Sequence, residues 1–426
     1  MKVFKFGGAS VRDAKGIKNV AEIIKLFPND NLAIVVSAMG KTTNALEDLT
    51  RAYVKGKGDK KEILEGIKKL HYAEMQQLFP SQHHPAYADV NSVFEEIEKR
   101  FEITPSANYD LVYDQIVSQG EVISSKIVSH YLNTAGVENK WFDARKIVRT
   151  DSTFREGRVD WNASQKLANE NLIPFFIGHI GKKIALTQGF IGSTSIGLTT
   201  TLGREGSDYT AAILGYLLDA KDVTIWKDVP GVLNADPRYF DNTVKLEKIS
   251  FKEAIELSYY GASVIHPKTI KPLQNKDIPL YVNSFLKPKE KGSVIQGSEE
   301  FDHLVPSFIF KMNQVLISII PRDFSFIVEE NLRDIFDIFA SMGVRVHLMQ
   351  NSALSFSVSV DYNEDKLPLL VKKLQENYKV KYNENCELVT IRHYDQQTID
   401  RVSVDKEILV MQKSRFTARM IMRDRG

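Results

Sequence analysis

The feature that most constrains this chain is an alternation. Short apolar runs rich in β-branched residues lie at 3–6, 32–37, 173–177, 184–190, 223–229 and 278–282. Between them, apolar residues recur at helical spacing, as in Ile17, Val20, Ala21 and Ile24, or Tyr209, Ala212, Ile213, Tyr216 and Leu217. Strands that are apolar on both faces and are joined by helices pack as a mostly parallel sheet between helix layers, so the first 285 residues predict an α/β fold. Ligands of such sheets bind outside the carboxyl ends of the strands, which directs attention to the loops after these runs. Residues 45–131 read as mainly helical, broken at Pro80-Ser81-Gln82-His83-His84-Pro85. Adjacent histidines in a Pro-flanked loop are expected in solvent rather than on a metal.

A charged Pro/Gly stretch, Lys287-Pro288-Lys289-Glu290-Lys291-Gly292-Ser293, marks a boundary near 285–305. It divides the chain into a first domain over 1–290, a linker over 291–305 and a second region over 306–426. That region reads strand (315–320), helix (330–342), strand (344–350), strand (354–361), helix (367–377), strand (379–382), the ferredoxin-like βαββαβ order. A partial second repeat runs from 387–392 through a helix near 398–402 to 415–422, without a closing helix and strand.

Composition narrows the function classes. With 56 Lys+Arg against 54 Asp+Glu and no basic stripe, the chain lacks the footprint of a nucleic-acid binder. The single cysteine, Cys386, permits neither an internal disulfide nor a thiol-based metal site, and suits a reducing compartment. The opening Met1-Lys2-Val3-Phe4-Lys5 reaches glycine too soon for a signal peptide, and no run of about 18 apolar residues occurs. The expectation is a cytoplasmic protein without membrane contact.

Four segments carry chemistry. The first strand ends in Lys5-Phe6-Gly7-Gly8-Ala9-Ser10, where two glycines admit a phosphate close to the backbone, a following helix offers free N–H groups, and Lys5 adds a charge. The same glycines also suit a tight strand-to-helix turn. Gly40-Lys41-Thr42 is not a Walker A loop, because Val35 stands where that motif needs glycine; Thr43 and Asn44 could simply cap a helix. Thr187-Gln188-Gly189-Phe190-Ile191-Gly192, followed by residues 199–209, is the densest glycine and hydroxyl stretch and precedes a strongly apolar helix, so its donors converge at a helix N-terminus. There Arg204 could clamp a carboxylate and Asp208 could orient a lysine. Finally, Trp226-Lys227-Asp228-Val229-Pro230-Gly231 and Asp236-Pro237-Arg238 form a turn-rich loop whose cations suit a nucleotide's phosphates.

These motifs, with Val36-Ser37-Ala38, Ser118-Gln119-Gly120-Glu121 and Trp141-Phe142-Asp143-Ala144-Arg145, stand in the order found in aspartate kinases of the amino-acid kinase family, which the chain resembles along essentially its whole length. The C-terminal repeats resemble ACT regulatory domains. The resemblance implies an amino-acid kinase fold, then ACT-like units. It also implies transfer of the γ-phosphoryl of MgATP to the side-chain carboxylate of L-aspartate, giving 4-phospho-L-aspartate for lysine, threonine and methionine synthesis. Mg2+ would be held mainly through the nucleotide phosphates, with no dedicated protein metal site.

By the same resemblance, Lys5 is expected to meet the transferred phosphate and Asp208 to hold Lys5. Gly7, Gly8 and Ser10 supply donors. Thr43, Glu121, Arg204 and Ser207 serve the amino acid, with Glu121 on its α-ammonium and Arg204 on its α-carboxylate. Lys227, Asp228, Leu233, Arg238 and Ser263 face ATP. Asp323, Phe324, Asn351 and Ser352 are the effector-contact candidates, for lysine or threonine, in a homodimer or larger oligomer built through the tails. Two departures stand out: Ala9 replaces the usual threonine, and Ser263 stands where many relatives have an ATP-facing lysine. Lys227, where relatives often have threonine, could restore that charge. The rival readings are a sibling phosphotransferase acting on acetylglutamate, glutamate or a nucleoside monophosphate, and a non-catalytic amino-acid sensor.

Overall fold

The computed structural model describes residues 1–56, 58–178, 181–262, 265–323 and 325–425. The chain divides into two compact units. The first comprises Met1–Val232, Lys245–Ile255 and Ile265–Glu299; the second comprises Leu233–Val244, Glu256–Val264 and Glu300–Gly426. Chain order alone does not show that two internal segments belong with the C-terminal region.

Among the described residues the first unit holds ten strands: β1 (Lys2–Phe6), β2 (Leu32–Val36), β3 (Lys140–Phe142), β4 (Ile184–Gln188), β5 (Ile191–Ser193), β6 (Thr199–Thr201), β7 (Asp222–Lys227), β8 (Lys248–Ser250), β9 (Leu280–Ser284) and β10 (Ser293–Gln296). Eight of them form one sheet in the order β3-β4-β2-β1-β7-β9-β10-β8, parallel except where β10 meets β9, while β5 and β6 make a separate antiparallel pair. β2 is buried at every position, as a central strand covered on both faces must be. The helix Ala14–Lys25 packs on the sheet through Ile17, Val20, Ala21 and Ile24, and its start is fixed by the Asp13 carboxylate, which accepts the Gly16 N–H at 2.7 Å. Trp226 stacks on Phe6 and meets Phe4 edge-on, with centroids 6.2 and 5.7 Å away. Burying side chains of this size stabilises the fold by about 1.5–3 kcal/mol each.

Two readings of this region need correction. Residues 173–177 are not a strand: Ile173–Phe176 is a short helix directly after Trp161–Asn171, with Pro174 in its first turn, where no backbone N–H is required. His83 lies in solvent, but His84 is half-buried; its Nδ1 accepts the Ala86 N–H at 3.2 Å and its ring stacks on Phe79 at 4.3 Å.

Among the described residues the second unit holds one antiparallel sheet of six strands, in the order β12-β13-β11-β14-β16-β15. They are β11 (Ser307–Pro321), β12 (Val346–Asn351), β13 (Phe356–Asp361), β14 (Tyr378–Arg392), β15 (Lys406–Lys413) and β16 (Thr417–Asp424). Glu329–Ser341 and Lys366–Leu374 cover the first half, around a core of Val315, Ile317, Ile319, Phe339 and Val358, and Gln396–Val402 covers part of the second. β11 and β14 run through both halves. Each carries an asparagine in the left-handed region, Asn313 and Asn385, both with φ of 55°, and the β11–β14 ladder shifts register between Lys311 and Gln314. The second repeat therefore has a fourth strand after all: the N-terminal part of β11 pairs with β14 beyond Cys386 and fills that place.

Candidate active site

Eleven of the expected site residues, Lys5, Gly7, Gly8, Ser10, Thr43, Glu121, Arg204, Ser207, Asp208, Lys227 and Asp228, line one cleft of about 970 Å³ in the first unit. It opens at the carboxyl ends of β1 and β7, neighbours in the sheet with Phe6 opposite Trp226.

The charged centre is a row of three side chains. Lys5 leaves β1, Lys227 leaves the end of β7, and Asp208 stands between them in the first turn of the helix Gly206–Leu217. Asp208 Oδ1 is 2.5 Å from Lys5 Nζ, and its Oδ2 is 3.6 Å from Lys227 Nζ. Asp208 is only 3% exposed. Burial alone pushes its carboxyl up, but the two ammonium groups outweigh that and hold it below the ordinary carboxylate value. The carboxylate thus stays charged and fixes both lysines at the mouth of the phosphate loop.

Glycine makes room for this arrangement. A Cβ on Gly8 would lie 2.8 Å from the Ala38 carbonyl oxygen, and one on Gly7 would lie 3.2 Å from Lys5 Nζ, so side chains there would collide with the neighbouring loop or cover the ammonium. Gly189 and Gly206 bring the β4–β5 turn onto the helix start, since a Cβ on either would come within 2.5 Å of Ser207 or Phe190. Ser10 Oγ donates to the Trp226 carbonyl at 3.5 Å, joining the loops after β1 and β7.

Glu121 supplies the opposite need. It sits in the first turn of Gln119–Thr134, 3% exposed, with Oε1 accepting the Ala38 N–H at 3.4 Å and Oε2 lacking a hydrogen-bond partner among the described residues. Burial pushes its pKa up to about 8, against the smaller pull of its own and the Ala38 backbone N–H groups and of Lys5. A buried, half-satisfied carboxyl on a cleft wall is built to receive a cation or a strong donor. Arg204 lies exposed between Gly203 and Glu205, with φ of 75° and 54°, and among the described residues no carboxylate forms an ion pair with it. Thr43 and Ser207 contribute hydroxyls.

Sequence reasoning missed Asp114, which holds together the part of the cleft lined by Tyr113, Arg155 and Thr201. Asp114 is buried, and accepts from the Thr201 N–H at 2.9 Å, the Thr201 hydroxyl at 2.7 Å and the Arg155 N–H at 2.9 Å. Burial raises its pKa to about 6 against those bonds. It staples β6 to the loop 151–157, where Arg155, at φ 67°, spreads its guanidinium 4.3 Å over the Tyr113 ring. The available signal was an acidic residue on the apolar side of a helix, beside Val112, Tyr113, Ile116 and Val117.

Other candidates fall elsewhere. Leu233 and Arg238 belong to the second unit, where Arg238 forks onto Asp236 at 2.6 and 3.0 Å. Ser263 and Phe324 lie outside the described residues. Asp323, Asn351 and Ser352 are exposed in the second unit, Asn351 as the last residue of β12 and the other two on loops that the Ile327 N–H joins by donating to the Ala353 carbonyl at 3.0 Å. Among the described residues, no group of three or more His, Cys, Asp or Glu side chains is placed to hold a metal ion, and no helix is long and apolar enough to cross a membrane.

Comparison with known proteins gives this geometry its relatives. The amino acid kinase family matches residues 1–284. Lysine-sensitive aspartokinase 3 of Escherichia coli is 33% identical over 361 residues, covering 84% of this chain and 78% of its own. Chloroplastic aspartokinase 1 of Arabidopsis thaliana is 33% identical over 369 residues, covering 84% of this chain, which spans 63% of that longer protein. The crystal structure of E. coli aspartokinase III in complex with lysine and aspartate superposes with a TM-score of 0.83 at 29% identity, over 99% of this chain and 95% of that one. The same enzyme in complex with aspartate and ADP gives 0.79 at 29% identity, over 99% and 96%. The parallel α/β unit and the antiparallel ferredoxin-like unit are thus the amino-acid kinase fold followed by an ACT region, and the chain belongs to the amino acid kinase family, among its aspartokinases.

Proposed function

We propose that this chain is an aspartate kinase, moving the γ-phosphoryl of MgATP to the side-chain carboxylate of L-aspartate. The observation that carries this reading is the meeting, on one cleft, of the Lys5–Asp208–Lys227 row with the half-satisfied Glu121 and with Arg204, which forms no ion pair among the described residues. An amino acid with a free α-ammonium and α-carboxylate meets Glu121 and Arg204, and its side-chain carboxylate is left for the phosphate. An acylated amine offers Glu121 no charge, which disfavours an acetylglutamate kinase.

The nucleophile is already ionised near neutral pH, with an ordinary pKa of about 3.9, so no general base is required. The barrier is repulsion between a carboxylate and a polyphosphate. Catalysis is therefore positioning and fixed positive charge, supplied by Lys5 and by the backbone donors of the Gly7-Gly8 loop and the Gly206–Leu217 helix start. Mg2+ enters with the nucleotide, as part of the substrate.

Lys227 supplies the cation that many relatives place at the position of Ser263. Lys227→Met is expected to raise the KM for MgATP about tenfold, the equivalent of about 1.4 kcal/mol, while the KM for aspartate changes little. Steady-state kinetics with each substrate varied checks this; an unchanged KM for MgATP contradicts the compensation.

The second unit is proposed to regulate the first by binding a free amino acid at the joined loops that carry Asp323 and Ser352, beside Asn351 at the end of β12, in a homodimer or larger oligomer. A relative crystallised with lysine supports lysine as the effector. Lysine, titrated into the assay at fixed subsaturating aspartate, is expected to inhibit, and Ser352→Ala to weaken that inhibition. Equal inhibition of both proteins would move the effector site elsewhere.

A further inference from the structure

The sheet of the second unit curls until its two edge strands meet. Gln412 Nε2, on β15, donates to the Met349 carbonyl of β12 at 2.6 Å, and Arg419 Nη2, on β16, donates to the His347 carbonyl at 2.6 Å. Arg419 is half-buried, with its guanidinium 5.0 Å over the Tyr260 ring and its Nε sealed from solvent without an acceptor among the described residues. Among the described residues no carboxylate forms an ion pair with it. Glu256 is 3.7 Å from Arg392, whose Nη1 donates to Thr417 Oγ1 at 2.7 Å. On the same strand, Arg423 does have its carboxylate, Glu407 at 2.6 Å. Burial pulls the Arg419 pKa down, with only the Tyr260 and Tyr259 phenols working against it. A guanidinium withdrawn from water and held by one carbonyl and one ring face is costly unless something brings it negative charge.

Beside it opens a hollow of about 460 Å³, lined by Tyr260, Gln412, Lys413, Ser414, Thr417 and Arg419. Two cations, three hydroxyls and an amide face it, and among the described residues no carboxylate does. We propose that this hollow binds a small oxyanion, carboxylate- or phosphate-headed, whose charge offsets that of Arg419 and reinforces the clasp between β12 and β16. It shares no lining residue with the catalytic cleft and does not rest on the reaction proposed for it.

Inorganic phosphate and, in a parallel arm, acetate are titrated calorimetrically into the full-length chain at ionic strength held constant with sodium chloride. One or both are expected to bind saturably, and the arm that binds identifies the head group. Arg419→Gln is expected to weaken that binding at least about tenfold, as loss of a charge-assisted contact does. Lys413→Ala, on an exposed side chain, is expected to weaken it about threefold by removing one surface charge and keeps the test open if Arg419→Gln does not fold. Anion binding in the catalytic cleft would appear as heat that both variants retain. An adventitious result of that kind, with equal heats in all proteins, or the absence of saturable heat from either anion, overturns the proposal.

Discussion

Lys5→Ala is expected to lower kcat by about 10²–10³-fold, the cost of removing one fixed donor aimed at transition-state charge, with the KM for aspartate little changed. The direction follows from placement. Lys5 Nζ is held 2.5 Å from a carboxylate that is 3% exposed, so its charge is fixed before substrate arrives. The substitution has a structural cost as well. Asp208 would retain only Lys227, at 3.6 Å, and breaking a buried pair from one side costs about 3 kcal/mol. The double variant Lys5→Ala/Asp208→Asn separates the two effects: it is expected to recover most of the lost stability in urea unfolding while turnover stays low. Recovery of turnover along with stability would make Lys5 a structural residue only.

Glu121→Gln is expected to raise the KM for aspartate about 100-fold, because a neutral amide replaces the charge that meets the α-ammonium. The wild-type protein carries a proton signature of that contact. With its pKa at about 8 in the empty cleft, Glu121 is mostly protonated at pH 7 and must ionise to pair with an ammonium. Aspartate binding should then release close to one proton at pH 7 and almost none at pH 9, and affinity should rise with pH up to about 8. Calorimetry in two buffers of different ionisation enthalpy reads this directly, and Glu121→Gln should abolish it. Stability of the empty protein moves the other way. A carboxyl whose folded pKa is raised contributes stability that is complete below its unfolded value and is lost as pH rises through about 8. Glu121→Gln should remove that slope and make the empty protein the more stable one above pH 8. Proton release equal in both proteins would place the ammonium elsewhere.

The phosphate side of the cleft was legible in the sequence because it is written locally. A strand that ends in Gly7-Gly8 beside Lys5, and a glycine and hydroxyl stretch that opens an apolar helix at Asp208, state their geometry within a few residues. Asp114 was not legible, since its partners Arg155 and Thr201 lie far along the chain and nothing near it states that three donors converge there. The apolar run at 173–177 was too short for periodicity to separate a buried strand from a helical turn. β15 escaped because an edge strand with exposed Glu407, Ile408 and Met411 shows no clean alternation. The fourth strand of the second repeat was hidden for a topological reason: it precedes the first repeat in sequence. Likewise, the loop that carries Arg238 joins the second unit through Phe240, stacked 4.4 Å from Phe308, a contact between distant residues that no local motif announces.

The central claim is that the side-chain carboxylate of aspartate attacks the γ-phosphorus of ATP. The direct test uses L-aspartate labelled with ¹⁸O in that carboxylate, MgATP, and hydroxylamine to cleave the acyl phosphate at its carbonyl carbon. The bridging oxygen then leaves with the phosphate. The account predicts aspartate-dependent ADP, one aspartyl hydroxamate per ADP, and one labelled oxygen in each phosphate released. ADP formation without labelled phosphate, or no dependence on aspartate, would contradict it.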